Sequence, residues 1–175
     1  MNSMLLTRTI FSSIIIHINS VWNGGLFVRI SAKGRYALAA AVSMAQRYHT
    51  GEYITVISIS EKLGVSKIYL EQVFSLLKRG GLVSSVKGAQ GGYQLVRMPG
   101  QITVLDVLSA VEVSLFEQAE NTVFEKAPDI DAAMRLSAFK VLDEAVKGAL
   151  ARVTLGDLVN DAEKIKGEHA MMFYI

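Results

Sequence analysis

The stretch from Thr55 to Val96 constrains the fold more tightly than any other part of the chain. Thr55 is suited to cap a helix, and Val56 to Leu63 reads as a short amphipathic one. Gly64-Val65-Ser66 interrupts it, Ser66 offers a second cap, and Lys67 to Arg79 reads as a second helix. Ile59, Leu63, Val65, Leu70, Val73, Phe74 and Leu77 are spaced to pack the two together and fix the angle between them. Two helices joined by a short, Gly-containing turn make a helix-turn-helix. Gly80-Gly81 ends the second helix, Leu82 to Val86 reads as a strand, Gly88-Ala89-Gln90-Gly91-Gly92 as a turn, and Tyr93 to Val96 as the returning strand. A β-hairpin placed there is a wing.

The flanks supply the rest of a mainly α fold with a small β wing. Ser31 is a good N-cap for a helix from Ala32 to Tyr48, with Tyr36, Ala37, Ala40, Ala41, Met44 and Tyr48 as its buried stripe and Gly51 as its end. Thr103, followed three residues later by Asp106, opens a helix through Val111. Val113 to Asp129 has weak periodicity and is expected to be a loop. Ala132 to Arg152 reads as a long helix, on which Phe139, Leu142, Val146, Ala149 and Val153 form a narrow apolar seam. In a monomer that seam is a core face; in a DNA reader it is a dimerisation seam, because two-fold symmetry matches palindromic sites. Thr154 and Asp157 repeat the cap pattern before a final short helix.

This gives a winged helix-turn-helix domain over residues 28–99, a helical dimerisation region over 100–170 and a tail over 171–175. Residues 1–27 do not fit the pattern. They carry a single charge, Arg8, and an apolar run broken by Ser12, Ser13, His17 and Asn19, too short for a membrane span and poorly formed for a signal peptide. We expect an extension outside the folded unit, with translation starting at Val28 through a GUG codon.

Charge is divided unevenly. Val28 to Pro99 has ten Lys/Arg against three Asp/Glu, while Gly100 to Ile175 has seven against thirteen. A basic half can displace counterions from phosphates. With no cysteine in the chain, disulfides, thiolate catalysis, Cys-based zinc sites and cysteine-ligated clusters are excluded. His17, His49 and His169 stand far apart, outside any metal-ligand spacing. No nucleophile–base pair, phosphate-cradling loop or paired-carboxylate signature points to an enzyme. A winged helix used only as a protein-interaction module is the competing reading, and the basic surplus argues against it.

For DNA binding, Ser66, Tyr69, Glu71 and Gln72 are the candidate groove residues of the second helix. Glu71 can accept a hydrogen bond from cytosine N4, or it can simply pair with Lys67 one turn away. Lys33, Arg35, Lys67, Lys78 and Lys87 are candidate phosphate or groove contacts, with Gln90 beside Lys87 in the wing turn. For Lys78 a merely solvated side chain is the serious alternative. The expected partners are double-stranded DNA and a second copy of the chain, in the cytoplasm and away from membranes.

The chain resembles the Rrf2 family of bacterial winged-helix regulators. The resemblance is carried by Arg29-Ile30-Ser31-Ala32-Lys33-Gly34-Arg35-Tyr36-Ala37-Leu38, Tyr69-Leu70-Glu71-Gln72 and Gly80-Gly81-Leu82-Val83. Lys87-Gly88-Ala89-Gln90-Gly91-Gly92-Tyr93 and Thr154-Leu155-Gly156-Asp157-Leu158 add to it, so that it covers everything from Val28 onward. It implies a DNA-binding transcription regulator. Many members ligate an iron–sulfur cluster through three cysteines in the loop after the wing domain; the equivalent loop here has none, so no such cofactor is expected. The cysteine-free loop and the ending Met172-Phe173-Tyr174-Ile175 resemble the member that represses cysteine-metabolism genes in Gram-positive bacteria. That repressor works with cysteine synthase. The resemblance therefore implies a repressor whose Phe173, Tyr174 and Ile175 engage that enzyme, the terminal carboxylate of Ile175 standing in for an amino-acid substrate's own.

Overall fold

The computed structural model describes residues 30–88, 90–112 and 123–172. Helix α1 runs Ala32–Ala45, followed by a 3-10 turn at Tyr48–Thr50. Next come α2 (Val56–Leu63), α3 (Lys67–Arg79) and the strands β1 (Val83–Val86) and β2 (Gly92–Leu95). A second 3-10 turn, Pro99–Gln101, leads to α4 (Val104–Val111). A continuous helical stretch comprises α5 (Pro128–Met134), a π-helical turn (Arg135–Phe139) and α6 (Lys140–Arg152), before α7 (Leu155–Met172).

The helix-turn-helix forms where its residues require it. Thr55 Oγ1 accepts from Ser58 N–H at the start of α2, and Gly64 ends the helix with φ of 64°, a left-handed conformation that a side chain would strain. Val65 N–H donates to Ser60 O, and Ser60 Oγ donates to Val65 O at 2.6 Å, which locks the turn. Ser66 stands at the N-cap position of α3, but its side chain makes no capping bond, contrary to the expectation from its residue type. The backbone begins the helix here without side-chain assistance.

The core gathers α1, α2, both strands, α4 and the start of α7 around α3. Leu70, Val73, Phe74 and Leu77 are fully buried, together with Ala37 and Ala40 of α1, Ile59 of α2, and Ile102, Val107, Val111 and Leu155. β1 and β2 pair antiparallel, Val83 opposite Leu95 and Val86 opposite Gly92. Reciprocal backbone bonds of 2.8 Å between Ile54 and Tyr93 fasten the hairpin to the segment before α2.

Three boundaries differ from expectation. α1 stops at Ala45 instead of Tyr48, because the chain tightens into the 3-10 turn before left-handed Gly51. The long helix begins at Pro128, inside the stretch expected to be a loop; Pro at a first helical position, with Asp129 and Asp131 in the first turn, is a favourable start that weak apolar periodicity hides. The last helix is not short but spans 18 residues.

Two capped helix starts lie side by side. Thr103 and Asp106 form a reciprocal capping box at α4. Thr154 and Asp157 do the same at α7, and backbone bonds of 2.8 Å from Val104 N–H to Val153 O and from Leu155 N–H to Ile102 O join the two starts. The Thr154 side chain, then its backbone N–H, hold the Asp157 carboxyl below its usual value. A carboxyl depressed in the folded state favours folding above its unfolded pKa and loses that contribution as pH falls through the folded one.

A third cap is made over long range. Glu112, at the end of α4 and only 7% exposed, accepts hydrogen bonds from the backbone N–H and hydroxyl of Ser31. Ser31 Oγ in turn accepts from Gly34 N–H at 3.1 Å. A methyl group at Gly34 would collide with the Glu112 carboxylate, which would have to shift from its place on Ser31. The acid thus holds the start of α1 to the end of α4. Glu112→Ala should lower the unfolding free energy by about 2 kcal/mol, the usual scale for hydrogen bonds to a charged group. Urea unfolding checks this, and Glu112→Gln, which keeps an acceptor, should lose less.

Candidate nucleic-acid interface

The burial of α3 decides which of its residues face outward. Leu70, Val73, Phe74 and Leu77 occupy one side. At 100° per residue the opposite side carries Ile68, Gln72, Ser75 and Arg79, all exposed, with Glu71 on its flank. Ile68, Glu71, Gln72, Ser75 and Leu76 line a shallow concavity there.

The structure places the sequence candidates unequally. Ser66, Lys67, Glu71 and Gln72 are exposed at the N-terminal part of α3, where a recognition helix meets base edges. Lys67 Nζ lies 3.6 Å from Glu71 Oε1, both side chains about half exposed, so the helical ion pair is present in the free protein. Its strength is small, about 0.2–0.5 kcal/mol, and does not hold Glu71 back from a better partner. Tyr69 is half-buried: its ring packs edge-on against Tyr36 with centroids 5.4 Å apart, which ties it to α1. Lys78 Nζ donates to Ser85 Oγ at 2.6 Å and ties the end of α3 to the wing strand.

Lys33 is half-buried and Arg35 exposed near the start of α1, while Lys87 and Gln90 are exposed in the wing turn. Among the described residues Lys33, Arg35, Arg79 and Lys87 make no ion pair, whereas Arg47 is paired with Glu52 and Arg97 with Asp106. These four cations flank α3 in sequence, at α1, at its own C-terminus and at the wing, and Lys78, bonded only to the neutral Ser85 hydroxyl, adds a further charge at that C-terminus.

Ile68 and Arg79 are absent from the residues expected at the interface from sequence. The signal was available: once Leu70, Val73, Phe74 and Leu77 are assigned inward, residues 68 and 79 must point the other way. Ile68 escapes because an apolar residue inside an amphipathic helix is ordinarily read as core.

On the long helix no residue of α6 is buried. Of the seam residues, Phe139 is 42%, Leu142 60% and Val153 37% exposed; Ala149 is also exposed, and Val146 is half-buried. Ile130, Leu136 and Val141 extend the exposed apolar surface. Residues 1–27 and the tail residues Phe173, Tyr174 and Ile175 lie outside the described residues.

Residues 30–161 match the Rrf2 family, described as iron-dependent transcriptional regulators. This chain is an Rrf2 protein. It is 39% identical over 136 residues to the HTH-type transcriptional regulator IscR of Klebsiella pneumoniae subsp. pneumoniae, covering 78% of this chain and 82% of that one. Among solved structures it resembles T. potens IscR, with a TM-score of 0.62 and 32% identity over 81% of this chain and 93% of the other. It also resembles CymR, the global cysteine regulator of B. subtilis, with a TM-score of 0.57 and 33% identity over 77% and 98%. The Rrf2 protein is accordingly a DNA-binding transcription regulator and not an enzyme. Among its described residues no helix is long and apolar enough to cross a membrane.

Two lysines should separate in a titration of DNA affinity against salt. Lys87→Ala should lower the slope by about 0.9 for each lost phosphate contact. Lys78→Ala should lower it less, because the amine also ties α3 to the wing through Ser85.

Proposed function

We propose that this Rrf2 protein is a homodimeric, sequence-specific repressor of cysteine or sulfur metabolism genes, acting in the cytoplasm. One observation carries the DNA-reading part: the side of α3 opposite the core is exposed, and in sequence the helix stands between the basic start of α1 and a basic wing turn. Glu71 and Gln72 are the proposed base-reading residues, a carboxylate for cytosine N4 and an amide for adenine. Glu71→Ala should relax sequence preference while overall affinity holds or rises.

Self-association is supported by the apolar surface on the long helix, which leaves Phe139 and Leu142 open to solvent in a single chain. Leu142 is a sharper probe than Val146, which partly faces its own chain. Leu142→Glu should give a monomer in sedimentation and weaken binding to a palindromic site, with thermal stability of the winged helix retained.

The regulon assignment rests on likeness to the cysteine regulator and on the absence of cysteine. Iron dependence is a description of the family, and the residues of this chain do not fit a cysteine-ligated cluster. The chain contains no cysteine, and among the described residues no group of three or more His, Cys, Asp or Glu could hold a metal ion. We therefore assign no such cofactor, and the signal must come from a ligand or partner. The proposed partner is cysteine synthase, its substrate pocket taking the Ile175 carboxylate with Phe173 and Tyr174 against its rim. An Rrf2 regulator of another regulon is the second reading, favoured by the 39% identity to IscR.

Gel shifts with DNA upstream of sulfur-uptake genes, at two salt concentrations, test the function. A salt-sensitive, sequence-dependent shift is expected; none at either salt concentration favours a protein-interaction module. Calorimetry with cysteine synthase should show binding that is lost when Ile175 is deleted, and equal affinity after the deletion removes the tail from the account.

A further inference from the structure

The most exposed large apolar side chain among the described residues lies where solvent contact is least expected of a recognition helix. Ile68 is 71% exposed, the second residue of α3, and makes no part of the core. It stands one turn before Gln72 and beside Glu71 on the outward side, so the three share one patch. A single exposed isoleucine is ordinary on a protein surface. This one sits at the N-terminal end of the helix that enters the groove, beside two side chains able to read bases.

We infer that Ile68 is a specificity-determining residue that packs against the C5-methyl group of a thymine in the major groove. The inference rests on the DNA-reading function proposed above and names one further base contact. The chemistry is selective. The thymine methyl is the one apolar group that base pairs present in the major groove, and an aliphatic side chain has no donor or acceptor with which to meet any other edge. Charge favours the same occupant: the segment from Val28 to Pro99 carries a surplus of seven positive charges, and Arg35, Arg79 and Lys87 are exposed and make no ion pair among the described residues, suited to a polyanion. Ile68 therefore meets thymine, while Glu71 and Gln72 take the neighbouring positions.

Removing only the methyl group tests this. Binding sites are first selected from a randomised duplex pool with the full chain, and each thymine of the half-site is then replaced singly by deoxyuridine. The wild-type protein should lose affinity at one thymine per half-site, by about fourfold, the equivalent of one buried methyl-sized group. Ile68→Ala, a favourable change at an exposed helix position, should fold normally and bind the thymine and deoxyuridine duplexes alike. Indifference of the wild type to deoxyuridine at every position, or undiminished discrimination by Ile68→Ala, would overturn the inference while leaving DNA binding intact. Failure to select any salt-sensitive site would instead remove the DNA-reading function itself.

Discussion

The contact on which the rest depends is the complete burial of one side of α3. Leu70, Val73, Phe74 and Leu77 are sealed against α1, α2 and α4, and Phe74 also meets the wing through Tyr93, ring centroids 4.5 Å apart. A helix gripped on one side has no rotational freedom, so the opposite residues are presented at a fixed angle. Truncating Phe74 would open a void at this junction, and losses of about 3–5 kcal/mol are typical for such a change. The orientation of the outward side of α3 is thus a consequence of core packing, not of anything particular to the exposed residues themselves.

Polar ties then set the neighbouring elements relative to that helix. Lys78 bonds the wing strand, the Ile54–Tyr93 bridge holds the wing to the start of α2, and Glu112 holds the start of α1. Glu112 also ends α4, the helix packed against both α1 and α3, so that helix bears on two of the three basic elements. The paired caps at Thr103 and Thr154 bring α7 back onto the same core through Leu155. The long helix makes the contrast: it packs on α4 but leaves its apolar seam open to solvent.

The helix-turn-helix, the wing and both capping boxes were legible because each depends on neighbours in sequence. Gly64 marks a turn, Thr103 and Asp106 lie one helical turn apart, and strand and turn residues alternate visibly from Leu82 to Val96. What escaped depends on distant partners. Glu112 on Ser31 spans 81 residues, and nothing local distinguishes that acid from a solvated one. The contact of Tyr69 with Tyr36 likewise joins two helices, and nothing local in sequence announces it. The early start of the long helix at Pro128 escaped because capping and charge, not periodicity, establish it. Ile68 was hidden by its own chemistry, since apolar residues in amphipathic helices are ordinarily assigned inward.

If the outward side of α3 and the wing turn contact DNA together, chemical-shift mapping of backbone amides on addition of a selected duplex shows it. The largest changes should fall on Ser66 to Gln72, on Lys87 to Gln90 and at the start of α1, with the long helix from Pro128 to Arg152 little affected. Changes confined to the long helix, with α3 unmoved, would contradict it.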